Sequence, residues 1–173
     1  MKKTYCIVLL IVFTLFLSLT LYAQSREIIT VLEVIDGDTL RVNYYGQEKI
    51  VKLVGIDTPE NRVNTKAQND ANRNKKDIDA IIDMGKIASD YVSSMVKKGD
   101  KVALEFDVQF KDRYERLLGY VFLENGKMLN EEIVKAGYAS PVRIPPNLKY
   151  KKIFMDAFRD AKKKSIGFWR TAQ

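Results

Sequence analysis

Apolar and polar positions alternate along the chain once its N-terminal segment has ended. From Glu27 to Asp57 the sequence is rich in Ile, Val, Leu and Tyr, with little helical period. It is broken at the D-G-D tripeptide of residues 36–38 and near the Y-G-Q of residues 45–47. Residues 39–43 alternate polar and apolar side chains, which is the period of a sheet with one buried face. The pattern predicts three strands joined by two tight turns.

The rest of the chain contains one very polar segment and several periodic ones. Residues 61–79 are rich in Asn, Lys and Asp and have almost no apolar side chain to bury, which predicts a surface loop. Apolar residues at three- and four-residue spacings then predict a helix over residues 78–96, although Gly85 weakens the pattern. Further elements are predicted as strands around 101–106 and 117–123 and as helices over 129–136 and 150–163.

The order of these elements predicts the fold class. Three strands, a helix, two strands and two helices, without an internal repeat, indicate an α+β protein with a mainly β core. This is the order expected of a small five-stranded Greek-key barrel of the OB type with about three helices. Residues 24–173 provide about 150 residues, which is enough for one such domain and its core.

The first 23 residues form a separate segment. Met1-Lys2-Lys3 precedes an almost uninterrupted apolar run from Tyr5 to Leu21, and small and polar residues follow. This order predicts a secretory signal peptide, and the length of the run leaves an uncleaved membrane anchor open. In both cases we expect an exported domain, either secreted, periplasmic or at the cell surface. Contact with the membrane is expected only if the segment stays uncleaved.

Composition limits the available chemistry. The chain has no histidine, and its only cysteine, Cys6, lies in the N-terminal apolar run. Triads and Cys–His pairs are therefore excluded, as are zinc sites built on histidine or thiolate. Lysine and arginine outnumber the acids by 29 to 22; without Lys2 and Lys3 the ratio is 27 to 22, a net charge near +5. This excess suits a polyanionic partner without establishing one.

Five sequence motifs resemble the staphylococcal nuclease (thermonuclease) family. They are V-I-D-G-D-T-L-R-V, V-K-L-V-G-I-D-T-P-E, D-R-Y-E-R-L-L-G-Y-V, N-E-E-I-V-K-A-G-Y-A and A-K-K-K-S-I-G-F-W. They occur in the family's order from about Thr30 to Trp169. Each motif alone is weakly specific, whereas five in register are strongly so. The resemblance implies an OB-type barrel and a calcium-dependent phosphodiesterase.

Three carboxylates lie near the ends of neighbouring predicted strands. A barrel can bring Asp38 and Asp57 together, and two such acids need a cation or a proton between them. Calcium, which binds oxygen ligands, is a natural occupant. The resemblance implies that Asp38, Asp57 and the main-chain carbonyl of Thr58 hold calcium and that Glu60 handles the attacking water. Without the resemblance, D-G-D is usually only a turn and Glu60 a solvated side chain; Asp36 is assigned to the turn.

Two basic residues are candidates for stabilising the charged transition state. The resemblance gives this role to Arg116, although Glu115 and Leu117 stand where glycines often flank that arginine. Lys52 stands where the family usually has a second catalytic arginine. Lysine keeps the charge but lacks the planar, two-pronged donor that grips phosphate. We therefore predict an active enzyme that is slower than a relative with arginine at this position.

Other candidate substrate contacts are Arg113, Tyr114 and Arg143. The first two match family positions that touch the terminal phosphate. Arg143 and Pro145 stand where the family's founding member has two tyrosines against the bound nucleotide, so Arg143 is expected to offer charge or a guanidinium face instead. The basic residues of the 61–79 segment could follow a nucleic-acid backbone, but the acids among them favour a merely solvated loop.

Together these features predict an exported, calcium-dependent nuclease that hydrolyses DNA and RNA with low sequence specificity. Single-stranded or frayed substrates are expected, 3′-phosphate ends follow by resemblance, and a monomer is expected. The alternative is a weak or inactive OB-fold module that binds nucleic acid or protein. An anchored partner-binding protein is a third class. Asp38, Asp57, Glu60 and Arg116 are all present, which favours the enzyme.

Overall fold

Five β-strands close into a barrel in the computed structural model of the protein, which describes residues 26–170. The predicted signal or anchor in residues 1–23 lies outside this range. The strands are β1 (Glu27–Asp36), β2 (Thr39–Tyr44), β3 (Gln47–Leu53), β4 (Ile56–Asp57), β5 (Lys101–Lys111), β6 (Leu117–Phe122) and β7 (Ser140–Pro141). The helices are α1 (Thr65–Asn74), α2 (Ile78–Met95), α3 (Leu129–Lys135) and α4 (Lys151–Lys163), with a 3₁₀ turn at Gly167–Trp169.

The barrel confirms the predicted OB-type architecture. Its strand order is β1-β2-β3-β6-β5, and β4 pairs with β7 in a separate two-stranded ladder. Four of the barrel contacts are antiparallel, and β3 runs parallel to β6 with Val51 opposite Leu117. That register places Arg116 one residue before the stretch that pairs with Lys52. Within residues 26–170, none of the helices has the length and apolar character needed to cross a bilayer.

The core follows the alternation read from the strands. Leu40 and Val42 on β2, with Val51 and Leu53 on β3, are completely buried. A fully buried aliphatic side chain of this size contributes about 1.5–3 kcal/mol relative to leaving it exposed. The barrel end that carries the D-G-D turn is thus attached to a packed core, which holds the polar residues at that end in place.

The polar segment 61–79 is not a loop, and that prediction was wrong. Residues Thr65–Asn74 form α1, whose first turn is capped by the Asn64 side chain accepting a hydrogen bond from Ala67 N–H at 2.8 Å. Ala67 and Ala71 are buried against Ile81 and Ile82 of α2. Two alanines are enough to pack α1 against α2, because they are small and lie four residues apart on one helical face. The fold therefore has four α-helices among the described residues, where about three were predicted.

Two glycines let the site elements approach one another closely. The helix α2 continues without a break through Gly85, where a Cβ would lie 2.1 Å from the carbonyl oxygen of Glu60. At Gly37, a Cβ would lie 2.9 Å from both Ala88 Cβ and Thr58 Oγ1. Any larger residue at these positions would push α2 away from the turns that carry the acids.

Candidate active site

Asp38 connects three separate parts of the site. Its side chain is 1 % exposed, and the residue immediately precedes β2. Oδ1 accepts a hydrogen bond from the Thr39 hydroxyl at 2.9 Å and forms a short ion pair with the Lys52 ammonium. Oδ2 accepts a hydrogen bond from Thr58 N–H at 3.1 Å. The predicted meeting of the two acidic motifs is therefore observed, and Lys52 is in direct contact with one of the predicted metal ligands.

The second acidic motif surrounds one cation, the ammonium of Lys66. Lys66 Nζ donates to the main-chain carbonyl of Thr58 at 2.8 Å. It also lies 3.2 Å from Asp57 Oδ1 and 3.0 Å from Glu60 Oε1. A fourth oxygen, Asp70 Oδ2, lies at 3.4 Å. The second motif therefore converges on Lys66 through three predicted site residues, Asp57, Thr58 and Glu60. Lys66 itself was not predicted to be part of the site.

Glu60 is held in a fixed position by its neighbours. Its side chain is 13 % exposed, and Oε2 accepts a hydrogen bond from Asn64 Nδ2 at 2.5 Å. The next residue, Asn61, donates to the carbonyl of Ile35 at 2.8 Å and to Ser89 Oγ at 3.1 Å. These bonds tie the chain around Glu60 to both β1 and α2. The carboxylate is therefore anchored before any substrate arrives.

Burial and charge compete in setting the ionisation of the acids. Burial raises the pKa of Asp57, and the nearby ammonium of Lys66 opposes that rise. For Lys66, burial opposes the charge, but the carboxylates of Asp57 and Glu60 outweigh it and raise its pKa above the ordinary value. Lysine 66 is therefore charged throughout the physiological range, and it offsets part of the negative charge of the site.

Asp36, assigned from the sequence to the turn, does cap it. Its Oδ1 accepts a hydrogen bond from Gly37 N–H at 2.8 Å, and the Ser89 hydroxyl lies 3.4 Å away. The residue is 5 % exposed. Burial, followed by repulsion from Asp38, raises its pKa from 3.8 to about 6. Keeping this carboxylate charged at neutral pH therefore opposes folding.

An Asp36→Asn variant is expected to be more stable than the wild type at pH 7, by roughly 3 kcal/mol. The folded-state pKa of about 6 lies above the unfolded value of 3.8, so protonation favours the folded state. The loss of folding stability caused by the ionised Asp36 carboxylate is absent below about pH 4, grows between pH 4 and 6, and is complete above that range. The asparagine oxygen can still accept from Gly37. Urea unfolding in chelator at pH 7 and pH 4 should show the gain only at pH 7; equal stability at pH 7 would contradict it.

Arg116 is fixed by Asp112 in its own turn. Its Nε donates to Asp112 Oδ2 at 2.7 Å, and its backbone N–H donates to Asp112 Oδ1 at 3.1 Å. Burial raises the pKa of Asp112, but the bonds from Arg116 and Tyr114 dominate and lower it. Among the described residues, the terminal nitrogens of Arg116 have no hydrogen-bond acceptor. This leaves its two-pronged edge available to a phosphate.

The three predicted substrate contacts are on the surface. Arg113 Nη2 donates to the Tyr114 hydroxyl at 2.6 Å, and Tyr114 is 63 % exposed. Arg143 is exposed in the segment that follows β7. Strand β7 pairs with β4 through Ser140 and Asp57. Val142 N–H also donates to the Gly55 carbonyl at 3.0 Å, which ties this segment to the site. Arg113 and Tyr114 lie on the turn between β5 and β6, and the roles of all three residues remain predictions.

The donor atoms of the site fit a hard cation. Asp57 Oδ1, the Thr58 carbonyl and Glu60 Oε1 already surround the single Nζ of Lys66, and Asp38 Oδ2 is bonded to Thr58 N–H. All are oxygens, the ligands that calcium prefers. Within residues 26–170 no three acidic side chains have the spacing of a complete metal site, although three carboxylates reach the Lys66 ammonium. Of the predicted calcium ligands, Asp57 and the Thr58 carbonyl lie at this cation position together with Glu60, and Asp38 is bonded to Thr58 N–H beside them.

The fold and the site together define a class of protein: an OB-type barrel with an acidic, cation-holding site at one end of its strands. A family profile described as "Staphylococcal nuclease homologue" matches residues 50–171. The chain therefore belongs to the staphylococcal nuclease family. The resemblance read from the five motifs is thereby confirmed.

Individual relatives cover most of the chain. The thermonuclease of Staphylococcus intermedius is 36 % identical over 140 residues, which is 80 % of this chain and 74 % of that protein. The thermonuclease of Staphylococcus hyicus is 35 % identical over 155 residues, or 89 % of this chain and 82 % of that protein. Endonuclease YhcR of Bacillus subtilis is 38 % identical over 140 residues, covering 79 % of this chain but 11 % of that larger protein.

Three residues of the site were missed as participants by sequence reasoning. Lys66 was noted only as one basic residue of a loop, and Asn64 and Asp112 were not considered. The sequence does contain a helical pattern that includes two of these residues, Asn64 and Lys66. Asn64 is a preferred helix cap, and Lys66 and Asp70 stand four residues apart, as an ion pair on a helix does.

Proposed function

We propose that this protein is a nuclease that hydrolyses phosphodiester bonds of DNA and RNA, with calcium bound by Asp38, Asp57 and the Thr58 carbonyl. The observation that carries the proposal is the convergence of the Asp57 carboxylate, the Thr58 carbonyl and the Glu60 carboxylate on one cation position, with Asp38 bonded to Thr58 N–H beside them. Relatives named thermonuclease and endonuclease, aligned over most of the chain, support the same reaction. Low sequence specificity is expected because charge and backbone contacts are the same for every base.

The proposed chemistry is in-line attack of water on phosphorus. Glu60, held by Asn64, orients the water and accepts its proton. Calcium, when bound, supplies positive charge against the scissile phosphate. Arg116, anchored through Asp112, places its two terminal nitrogens against the non-bridging oxygens, where charge grows. The bond between phosphorus and the 5′ oxygen breaks. The 5′ oxygen takes up a proton from solvent and leaves as a hydroxyl, and the other product keeps a 3′-phosphate end.

The substrate and setting are proposed on sequence grounds. Single-stranded or frayed nucleic acid fits a site at the end of a barrel, because the backbone must come within reach of Glu60 and Arg116 together. Arg113, Tyr114 and Arg143 are the proposed further contacts along the strand. The proposal also retains export of the domain, as a secreted, periplasmic or surface protein that acts as a monomer. Calcium is abundant outside cells, which suits a site of this kind.

One observation favours the alternative of a non-cleaving binding module. Lys52 and Lys66 already pair with the acids that would hold the metal. A module of that kind would bind nucleic acid through the barrel without cutting it.

Cleavage of heat-denatured DNA by the purified full-length protein tests the proposal. We expect cutting in millimolar calcium, none in excess chelator, and oligonucleotide products with 3′-phosphate ends. Binding of the same DNA without cutting in calcium would replace the nuclease with the binding module. Cutting that persists in chelator would remove calcium from the proposal.

A Lys52→Arg variant is expected to turn over denatured DNA at least about three-fold faster than the wild type, because arginine can grip Asp38 or phosphate with two donors. Lys49→Arg is the matched control, since residue 49 lies on the same strand but on its other face. The measurement is initial rate at saturating substrate. Turnover that is unchanged or lower in Lys52→Arg would show that lysine does not limit the enzyme.

A further inference from the structure

We infer that Lys66 is a tethered cation that occupies the metal position and competes with calcium for it, so that Lys66 sets the metal affinity of the site. This rests on the proposed function, since it concerns the same oxygens. Lys66 lies in the first turn of α1, in the segment where a loop was predicted. Its Nζ contacts the Thr58 carbonyl, Asp57 and Glu60 at 2.8, 3.2 and 3.0 Å.

Calcium and this ammonium cannot share the position. A calcium ion binds its oxygen ligands at about 2.3–2.6 Å. An ion that took the Thr58 carbonyl and Asp57 as ligands would therefore lie almost where Nζ lies. Two positive charges at such a separation repel each other strongly, and both would need the same lone pairs. Binding of the metal thus requires the ammonium to move away.

The structure provides a place for the displaced ammonium. Asp70 follows Lys66 by four residues on the same helical face, and its Oδ2 is already 3.4 Å from Nζ. The Lys66 side chain is 35 % exposed, so its flexible stem can move without unfolding α1. Asp70 is further held by Arg73 at 2.6 Å. A swing toward Asp70 keeps the lysine paired while it frees Asp57 and the Thr58 carbonyl.

The same lysine stabilises the metal-free protein. Without a cation, Asp57 and Glu60 would be two largely buried carboxylates near the same point, which is costly unless they are paired. Lys66 therefore has opposite effects in the two states: it supports the fold without metal and weakens the binding of metal. A purely structural lysine would show only the first effect.

Calcium titration by calorimetry of the full-length protein tests this inference. Lys66→Met is compared with Lys86→Met, which removes the same charge from an exposed lysine on α2. Among residues 26–170 the ion-pair partner of Lys86 is Asp83, at 2.9 Å. Lys66→Met is expected to bind calcium at least about ten-fold more tightly than Lys86→Met. In chelator it is expected to melt several degrees below the control, and calcium is expected to reverse that difference. If Lys66→Met does not fold in chelator, Lys66→Gln is titrated instead.

The outcomes separate this inference from the proposed nuclease. Equal dissociation constants for Lys66→Met and Lys86→Met would overturn the competition, even if the wild type cuts DNA in calcium. Tighter binding by Lys66→Met would support it, even if no variant cuts DNA and the proposed nuclease fails. Cutting by the wild type in chelator that Lys66→Met loses would also overturn it, because the lysine would then replace the metal permanently.

Discussion

Glu60→Gln is expected to lower the turnover of denatured DNA by about 10²- to 10⁴-fold, while the fold remains intact. The amide keeps the size of the side chain and an oxygen that can accept from Asn64, so the local bonds largely survive. It cannot accept a proton from water. The loss should therefore appear in turnover, with little change in the binding of nucleic acid.

The control for this variant is Glu48→Gln. Glu48 lies on β3 with a side chain that is 70 % exposed, and its nearest partner, Arg41, is 3.9 Å away. The same chemical change at this site should leave turnover unchanged. Initial rates in saturating calcium, with thermal melting as a check on folding, are the measurements. A Glu60→Gln enzyme within ten-fold of the wild type would mean that Glu60 only positions the metal site and does not handle the proton.

The barrel could be predicted because its pattern is local. Leu40 and Val42 alternate with polar neighbours, and the D-G-D turn marks the strand boundary. Each strand can therefore be recognised from its own stretch of sequence. Strand pairing then brings Asp38 toward Asp57 by topology alone. The contact between Lys52 and Asp38 follows in the same way, since the β2–β3 register sets Thr39 opposite Lys52.

The helix α1 could not be predicted with the same reasoning because its stability depends on tertiary packing. It buries only two alanines, Ala67 and Ala71, and they gain contacts only where α2 offers Ile81 and Ile82. Polar composition in a window of this length normally indicates a solvated loop. The role of Lys66 was missed for the same reason. A lysine reaches a buried carbonyl only after the helix has been placed.

The ionisation of the acids was also beyond sequence reasoning. The raised pKa of Asp36 depends on burial against α2 and on repulsion from Asp38, neither of which a turn motif reveals. Gly85 is a second case in which the role of a residue depends on packing that the sequence pattern does not show. Its presence weakened the helical pattern, whereas its missing side chain is what allows the Glu60 backbone to lie against α2.

Arg116→Lys is expected to lower turnover by about 10²- to 10³-fold, which is the loss found when one preorganised donor to a developing charge is removed. Arginine is held by its Nε on Asp112 at 2.7 Å, so its terminal nitrogens are fixed before substrate binds. Lysine has a single nitrogen, which can pair with Asp112 or contact the phosphate, but cannot do both. The charge is kept, so the loss measures geometry and not charge.

The matched control is Arg159→Lys on α4, an arginine that also pairs with an aspartate, Asp156, at 3.2 Å and is 70 % exposed. It should retain full turnover. A second variant, Asp112→Asn, separates the anchoring of Arg116 from its contact with phosphate. It keeps Arg116 but replaces its charged acceptor with a neutral one. A smaller loss of turnover than that of Arg116→Lys is therefore expected. Full activity of Arg116→Lys would mean that charge alone suffices at this position. In that case Lys52, which has the same single nitrogen, would no longer explain a slow enzyme.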